Sequence, residues 1–263
     1  MSTSQPAQIA SLYRYPVKGL SPEPLKSVTL EVGQTFPADR RYAIENGPSG
    51  FDPADPQWLE KTYFLMLVRH EWLAALHTHF DDASHILTIR QNGTVAVQGD
   101  LETSQGRAAI ERFFVDSHLG PINGPPKILS SNGLSFSNVD KKVVSIINLA
   151  SLRAIEDVVG QPVHPLRFRA NLYAEGWPAW HEFGLVGRTL AIGDVRLKIV
   201  KRTVRCAAIN VDPETAARDL NLPRTLMQRF GHADCGVYAE VVEAGAIALG
   251  DAIMPEAPRL PKS

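Results

Sequence analysis

The chain has 263 residues, 44% of them hydrophobic and 21% charged, which is enough apolar material to bury a core in one large domain or two closely joined ones and too little charge for disorder. Lys and Arg number 27 against 28 Asp and Glu, so a generic nucleic-acid surface is excluded and any cations gathered at a site must be placed there by the fold for one particular anion. Two cysteines, Cys206 and Cys235, cannot build a disulfide framework, and their separation fits neither a zinc nor an iron–sulfur set. The opening MSTSQPAQIASLYRYPVKGL has no signal-peptide pattern and no apolar run is long enough to span a bilayer, so a reducing, cytoplasm-like compartment and no membrane association are expected.

Taken in chain order, IASLYRYPV, LKSVTLEV and RRYAIEN are short β-branched and aromatic runs separated by Pro and Gly, and predict strands. LAALHTHF and HILTIRQNGTVAVQ predict a hairpin at Asn92-Gly93, because both residues tolerate positive φ. Ser104 opens a helix carrying Ala108, Ile110, Phe113 and Phe114 on the face toward the sheet. The segment GPINGPPKILSSNGLSFSNVDKK is rich in Gly, Pro, Ser and Asn and predicts a linker or mobile loop, dividing an N-terminal unit at 5–122 from a second at 138–255. Beyond it VVSIINLA predicts a buried strand, and Ser151 caps a helix carrying Leu152, Ile155, Val158 and Val159. RTLAIGDVRLKIVKRTVRCAAINV and GVYAEVVEAGAIALGD return to strands around a short helix at LPRTLMQRF. The final PEAPRLPKS is expected to fray.

Cys206 in KRTVRCAAINVDP ends a strand beside Lys201, Arg202 and Arg205, and nearby cations favour the thiolate that attacks electrophiles and binds metals. A buried structural cysteine is the competing reading, and it is the preferred one for Cys235, which has no cationic neighbours in HADCGVYAEV. In PLRFRANLYAEG, Arg167, Arg169 and Asn171 have period-2 spacing, so in a strand they share one face. That face suits a phosphate or carboxylate, or is simply the exposed polar side of a half-buried strand. Lys18 and the Asp39-Arg40-Arg41 run are ambiguous singly. Trp177, Trp180 and His181 either floor a pocket or pack a loop. P-loop, dinucleotide and nucleophile-elbow motifs are all lacking.

Six segments in order, IASLYRYPVKGL, ADRRYAI, VVSIINLASL, RFRANLYAEG, TVRCAAINVDPET and GVYAEV, resemble the MOSC family together with the N-terminal β-barrel domain that often accompanies it, over residues 8–253. The resemblance implies an α+β, β-dominated architecture, a MOSC β-barrel with a smaller N-terminal β-rich domain. It also implies a molybdenum cofactor, with Cys206 as the thiolate ligand to the metal. The positions matching the family's cofactor contacts are Lys18, Arg40, Asn148, Ser151, Arg169, Asn171 and Arg205. Asp212 either orients water or a substrate amidine as a second catalytic residue, or caps a turn in NVDP.

The implied activity resembles that of the mitochondrial amidoxime-reducing component and its bacterial counterparts: two-electron reduction of N-hydroxylated or N-oxide-type small molecules. Gly19 and KTYFLMLVRHEW depart from those proteins, and no ferredoxin-type cysteine set or nicotinamide site is expected, so electrons would come from a separate electron-transfer protein or reductase. Two other classes stay open: a non-catalytic cofactor or sulfur carrier, and a small-molecule binding module with an incidental cysteine.

Overall fold

A computed structural model of the protein describes residues 6–130 and 133–256. In chain order its elements are β1 (Ala7–Arg14), β2 (Glu23–Leu25), β3 (Ser27–Leu30), β4 (Tyr42–Asn46), β5 (Leu76–Phe80), β6 (Ile86–Gln91), β7 (Thr94–Asp100), α1 (Ser104–Asp116), β8 (Pro126–Ser130), β9 (Val144–Asn148) and α2 (Leu149–Val159). They continue as β10 (Leu172–Glu175), β11 (Thr189–Ile192), β12 (Val195–Val204), α3 (Leu222–Phe230), β13 (Asp234–Glu243), β14 (Gly245–Ala248) and β15 (Ala252–Pro255).

The order β10-β9-β13-β12-β11-β15-β1 closes on itself because β1 also pairs with β10, giving a barrel of seven strands with β2 hydrogen-bonded outside β1. Closure removes the exposed edges that an open sheet would leave. Alternate residues of the staves point inward, as the two-residue period demands: Ala7 and Ile9 from β1, Val144 and Ile146 from β9, Leu197 and Ile199 from β12, Val237 and Ala239 from β13; a bulge between Ile9 and Ser11 brings Leu12 into the same core. On the outside, Ile147 and Tyr173 meet Leu152 and Ile155 of α2 and Leu222 and Leu226 of α3 in a second core. The first stave comes from the N-terminal part of the chain and all the others from beyond residue 143. β3 pairs with β14 in the same way across the sequence.

The rest of the N-terminal part is the three-stranded meander β5-β6-β7 and the β4–β8 ladder, sharing a core that contains Tyr42, Ile44, Phe80, Leu87, Ile110 and Phe114. Asn92 and Gly93 both have positive φ, 52° and 79°, as the two-residue hairpin between β6 and β7 requires. Arg14 fastens this part to the barrel: its guanidinium donates to Glu23 at 2.8 Å and to the Phe80 carbonyl at 3.2 Å.

Three expectations need correction. The Gly/Pro/Ser-rich segment is not all loop, since Pro126–Ser130 pairs with β4 along five positions; its KILS run supplies the β-branched and aliphatic side chains that a ladder can bury. Residues 131–132 of that segment lie outside the described residues. The cap of α2 is Asn148, whose side chain accepts from the Ala150 N–H, and Ser151 sits inside the first turn. The Arg167/Arg169/Asn171 spacing is not a strand: Pro165–Phe168 is a 3-10 turn opened by proline and Arg169 is left-handed at φ 51°, so the shared face never forms. Of the expected frayed end, Pro255 closes β15 against Leu190 and 257–263 lie outside the described residues. Among the described residues no helix is long and apolar enough to cross a membrane.

Where α1 crosses β7 the backbones touch, and a Cβ on Gly106 would land on the Asp100 carbonyl. Gly106→Ala is expected to cost about 3 kcal/mol of stability, an overpacking penalty, read from the midpoint of urea unfolding.

Candidate functional site

The segment after β1 turns inward and its backbone pairs with β4, with the Tyr42 N–H donating to Pro16 O at 3.0 Å and the Lys18 N–H to Tyr42 O at 2.9 Å. Gly19 follows at φ 87°, and a Cβ there would come within 2.8 Å of the Leu65 carbonyl oxygen, so this backbone demands glycine. Lys18 is thereby buried, and its ammonium donates to Phe136 O and to Asn138 Oδ1, each at 2.8 Å. Burial pushes Lys18 down to about 7, and Arg40, Arg169 and Lys61 push in the same direction.

Tyr15 organises two of those cations. The guanidinium carbons of Arg40 and Arg169 lie 4.5 and 4.3 Å from its ring centroid, a cation–π arrangement that holds like charges near one another on a shared electron-rich surface. Asp39 accepts from the Tyr15 N–H at 2.8 Å through one carboxylate oxygen and from Arg40 through the other. Arg40 also donates to the Arg169 carbonyl at 2.9 Å, and Arg169 to the Leu20 carbonyl at 2.8 Å. Burial and the neighbouring Arg40 lower Arg169 to about 10. It remains charged at neutral pH, with no carboxylate of its own.

Cys206 lies two residues beyond β12, partly exposed, at the start of a 3-10 turn at Ala207–Asn210. Arg205 before it is fixed by backbone carbonyls: its Nε donates to Cys235 O and its Nη1 to Phe168 O, each at 2.8 Å. Its Nη2 is buried without a partner. Gly236 makes room for this guanidinium, since a Cβ there would strike the Ile146 carbonyl and approach Arg205 Nη2. The loop after Cys206 is held by Arg167, which donates to Asn210 O at 2.9 Å and to Asp212 and Asp219, each at 2.7 Å.

These groups line one cavity of about 460 Å³, shared by Lys18, Arg40, Arg169, Asn171, Arg205 and Cys206. Asn171 lines it while its amide stitches backbone together, accepting from the Ser145 N–H at 3.1 Å and donating to Tyr13 O at 3.2 Å. Three expected site residues do not line it. Asn148 and Ser151 are fully buried and both donate to the buried Glu182 carboxylate, at 2.9 and 2.8 Å. Asp212 ties down the loop, accepting from Arg167 and from the Glu214 and Thr215 N–H groups, both at 2.9 Å. Burial opposes its ionisation, yet those N–H donors and Arg167 keep the carboxyl below its usual range. Trp177 and Trp180 pack against His181, Phe183 and Phe230 rather than on the cavity. Cys235 is fully buried in a hydrophobic core, where burial raises its thiol to about 12, the structural role expected for it.

The sequence reading missed Tyr15, Lys61, Thr203 and Tyr238 as parts of the site. Tyr15 sits in the segment already marked by Lys18, but nothing local announces that its ring receives two guanidiniums from residues 25 and 154 positions away. Among the described residues no three His, Cys, Asp or Glu side chains converge as a metal cage. A metal at Cys206 has to bring most of its other ligands with it.

The protein is thus a barrel closed by its own N-terminal strand, with a cationic cavity that one thiol, Cys206, helps to line. Two family models cover the chain, the MOSC domain over residues 118–254 and the MOSC N-terminal beta barrel domain over residues 6–124, and the protein belongs to the MOSC family, which is associated with the molybdenum cofactor. Among solved structures it is similar to the YuaD protein from Bacillus subtilis, at 13% identity over 94% of each chain with a TM-score of 0.43. It is also similar to YiiM from Geobacillus stearothermophilus, at 17% identity over 45% of this chain and 56% of that one with a TM-score of 0.36. No curated protein gives a significant match.

Two outcomes are expected. Lys18 is held near 7 when folded and returns to the ordinary lysine value of 10.5 when unfolded, so between these values the unfolded chain binds the extra proton and folding stability rises with pH. The melting temperature of the cofactor-free protein, compared with that of Lys18→Met, should therefore improve steadily from pH 7 to pH 10. Asn148→Ala and Ser151→Ala should each cost about 1–3 kcal/mol in cofactor-free protein by unpairing Glu182, and thermal melts of empty and loaded protein should fall by the same amount.

Proposed function

We propose that this protein is a molybdenum-cofactor-dependent oxidoreductase that reduces N-hydroxylated or N-oxide-type compounds with electrons from a separate protein. The observation that carries the reading is the single thiol of Cys206 in one cavity with Lys18, Arg169 and Arg205, three basic side chains with no ion-paired carboxylate among the described residues. The donor set fits the group. A phosphate monoester carries about 1.5–2 negative charges at neutral pH, and Arg205 Nη2 is a buried N–H donor without a partner, a vacancy that costs about 1–3 kcal/mol unless a ligand fills it.

In this reading Lys18, Arg40, Arg169 and Arg205 hold the cofactor's phosphate, and Asn171 keeps the wall beneath it rigid. Cys206 contributes one soft sulfur donor, and Arg167 with Asp212 and Asp219 sets where that sulfur points. When bound, the cofactor supplies a redox metal capable of two-electron chemistry. The overall reaction breaks the substrate's N–O bond, consumes two electrons and two protons, and releases water. Electrons must enter from outside, because the sequence carries no dinucleotide fingerprint and too few cysteines for a cluster.

Elemental analysis of protein from a molybdenum-replete host should give close to one molybdenum per chain in the wild type and in Cys235→Ser, and little in Cys206→Ser. Loaded wild type should reduce an N-hydroxylated amidine with an artificial low-potential donor and not with a nicotinamide alone. Equal metal in all three proteins would refute the ligand assignment. Full loading without turnover under any donor, together with cofactor transfer to an apo-enzyme, would make the protein a carrier.

A further inference from the structure

The cavity holds more positive charge than one phosphate needs. Asp39 is the one carboxylate lining it among the described residues, and both its oxygens are engaged by Tyr15 and Arg40. Arg167 is neutralised by Asp212 and Asp219. Arg202 lies over the Phe183 ring at 4.4 Å, with Asp234 3.9 Å away. With Lys18, Arg40, Arg169 and Arg205 given to the phosphate, two lining cations remain, Lys61 and Lys201.

They come from different parts of the chain. Lys61 lies in a 3-10 turn of the N-terminal part, partly exposed, and is close enough to Lys18 to depress its basicity. Lys201 stands exposed on β12, its ammonium 5.9 Å from the ring centroid of Tyr238. Neither has an ion-pair partner among the described residues. Two residues further along β12, Thr203 also belongs to the cavity lining; the residue is 2% exposed and its buried hydroxyl has no hydrogen-bond partner. A buried hydroxyl left unpaired is costly and gains from a ligand's polar atom. Met66, Val139 and Ile209 give the same cavity an apolar wall.

We infer, resting on the reductase reading above, that Lys61 and Lys201 form an outer anion subsite and that the substrate carries a carboxylate or equivalent anionic group in addition to its N–O bond. The apolar wall accommodates the body of such a molecule, and Thr203 meets one of its polar atoms. A cationic substrate meets no free carboxylate in the cavity and is disfavoured.

The test compares neutral benzamidoxime with 4-carboxybenzamidoxime on cofactor-loaded protein, by kcat/KM with an artificial donor and by calorimetric binding with no donor present. The carboxylate probe should be preferred by about tenfold or more, chiefly through KM, as expected for charge-assisted contacts made equally in ground and transition states. The preference should shrink as salt rises from about 0.05 to about 0.5 M. In the double variant Lys61→Met, Lys201→Met it should fall to about unity, with molybdenum content measured alongside. Calorimetric preference without turnover of either probe would uphold the subsite and reject the reductase. Equal binding of the two probes, or a preference that survives the double variant, would overturn the subsite whatever the turnover. So would a nucleotide released in equal amount with the molybdenum from wild type but not from the double variant, since the second anion would then belong to the cofactor.

Discussion

Everything in the site depends on keeping like charges together on buried side chains around one cavity. Arg40 and Arg169 would repel each other strongly in a low-dielectric interior, and the protein offsets this with one carboxylate, one aromatic ring and a set of backbone carbonyls. Asp39 pairs with Arg40, Tyr15 offers its ring to both guanidiniums, and the carbonyls of Leu20, Phe136 and Phe168 accept from Arg169, Lys18 and Arg205. Carbonyl oxygens satisfy N–H donors without cancelling charge. The cavity therefore stays electropositive while few polar atoms of its lining residues are left unpaired, Arg167 Nε, Arg205 Nη2 and Thr203 Oγ1 among them.

The same economy explains why the loop beyond Cys206 is so heavily braced. Under the proposed reading the thiol would have to be held at one place while the rest of the coordination arrives with the cofactor. Arg167 grips Asn210, Asp212 and Asp219, and Arg218 reaches across to the Leu67 and Val68 carbonyls and to Glu71, each at 2.9 Å. Leu67 and Val68 are themselves part of the cavity wall. The two sides of the cavity are thus clamped by arginines whose charge is spent on structure, distinct from those left free for a ligand.

Periodicity and turn chemistry made much of the fold legible: the Asn92-Gly93 hairpin, α1 from Ser104 and the short helix at LPRTLMQRF follow from local signals that tertiary packing did not override. The barrel's closure was not legible, because pairing of β1 with β10 and β15 joins residues more than 150 positions apart and no local pattern encodes it. The Arg167–Asn171 spacing misled for a related reason: alternation is evidence of a shared face only in a strand, and Pro165 had already begun a turn. Family resemblance brought Lys18, Arg40, Arg169, Arg205 and Cys206 to one list, and they line one cavity. It carried Asn148 and Ser151 along as well, although they serve Glu182. Polarity in a matched segment does not say whether a side chain faces a ligand or a buried neighbour.

The barrel's first and last staves lie side by side, Ala7 opposite Ile253 and Gln8 opposite Ala252. Such a ring closes only when its last stave finds its first across more than 240 positions, a high-contact-order step that is slow on general grounds. The cavity draws one wall from the segment that follows β1 and another from β12 and its loop, so its shape depends on the same pairing of distant parts of the chain. Until β15 is seated, β1 and β11 keep unpaired edges that another chain could capture.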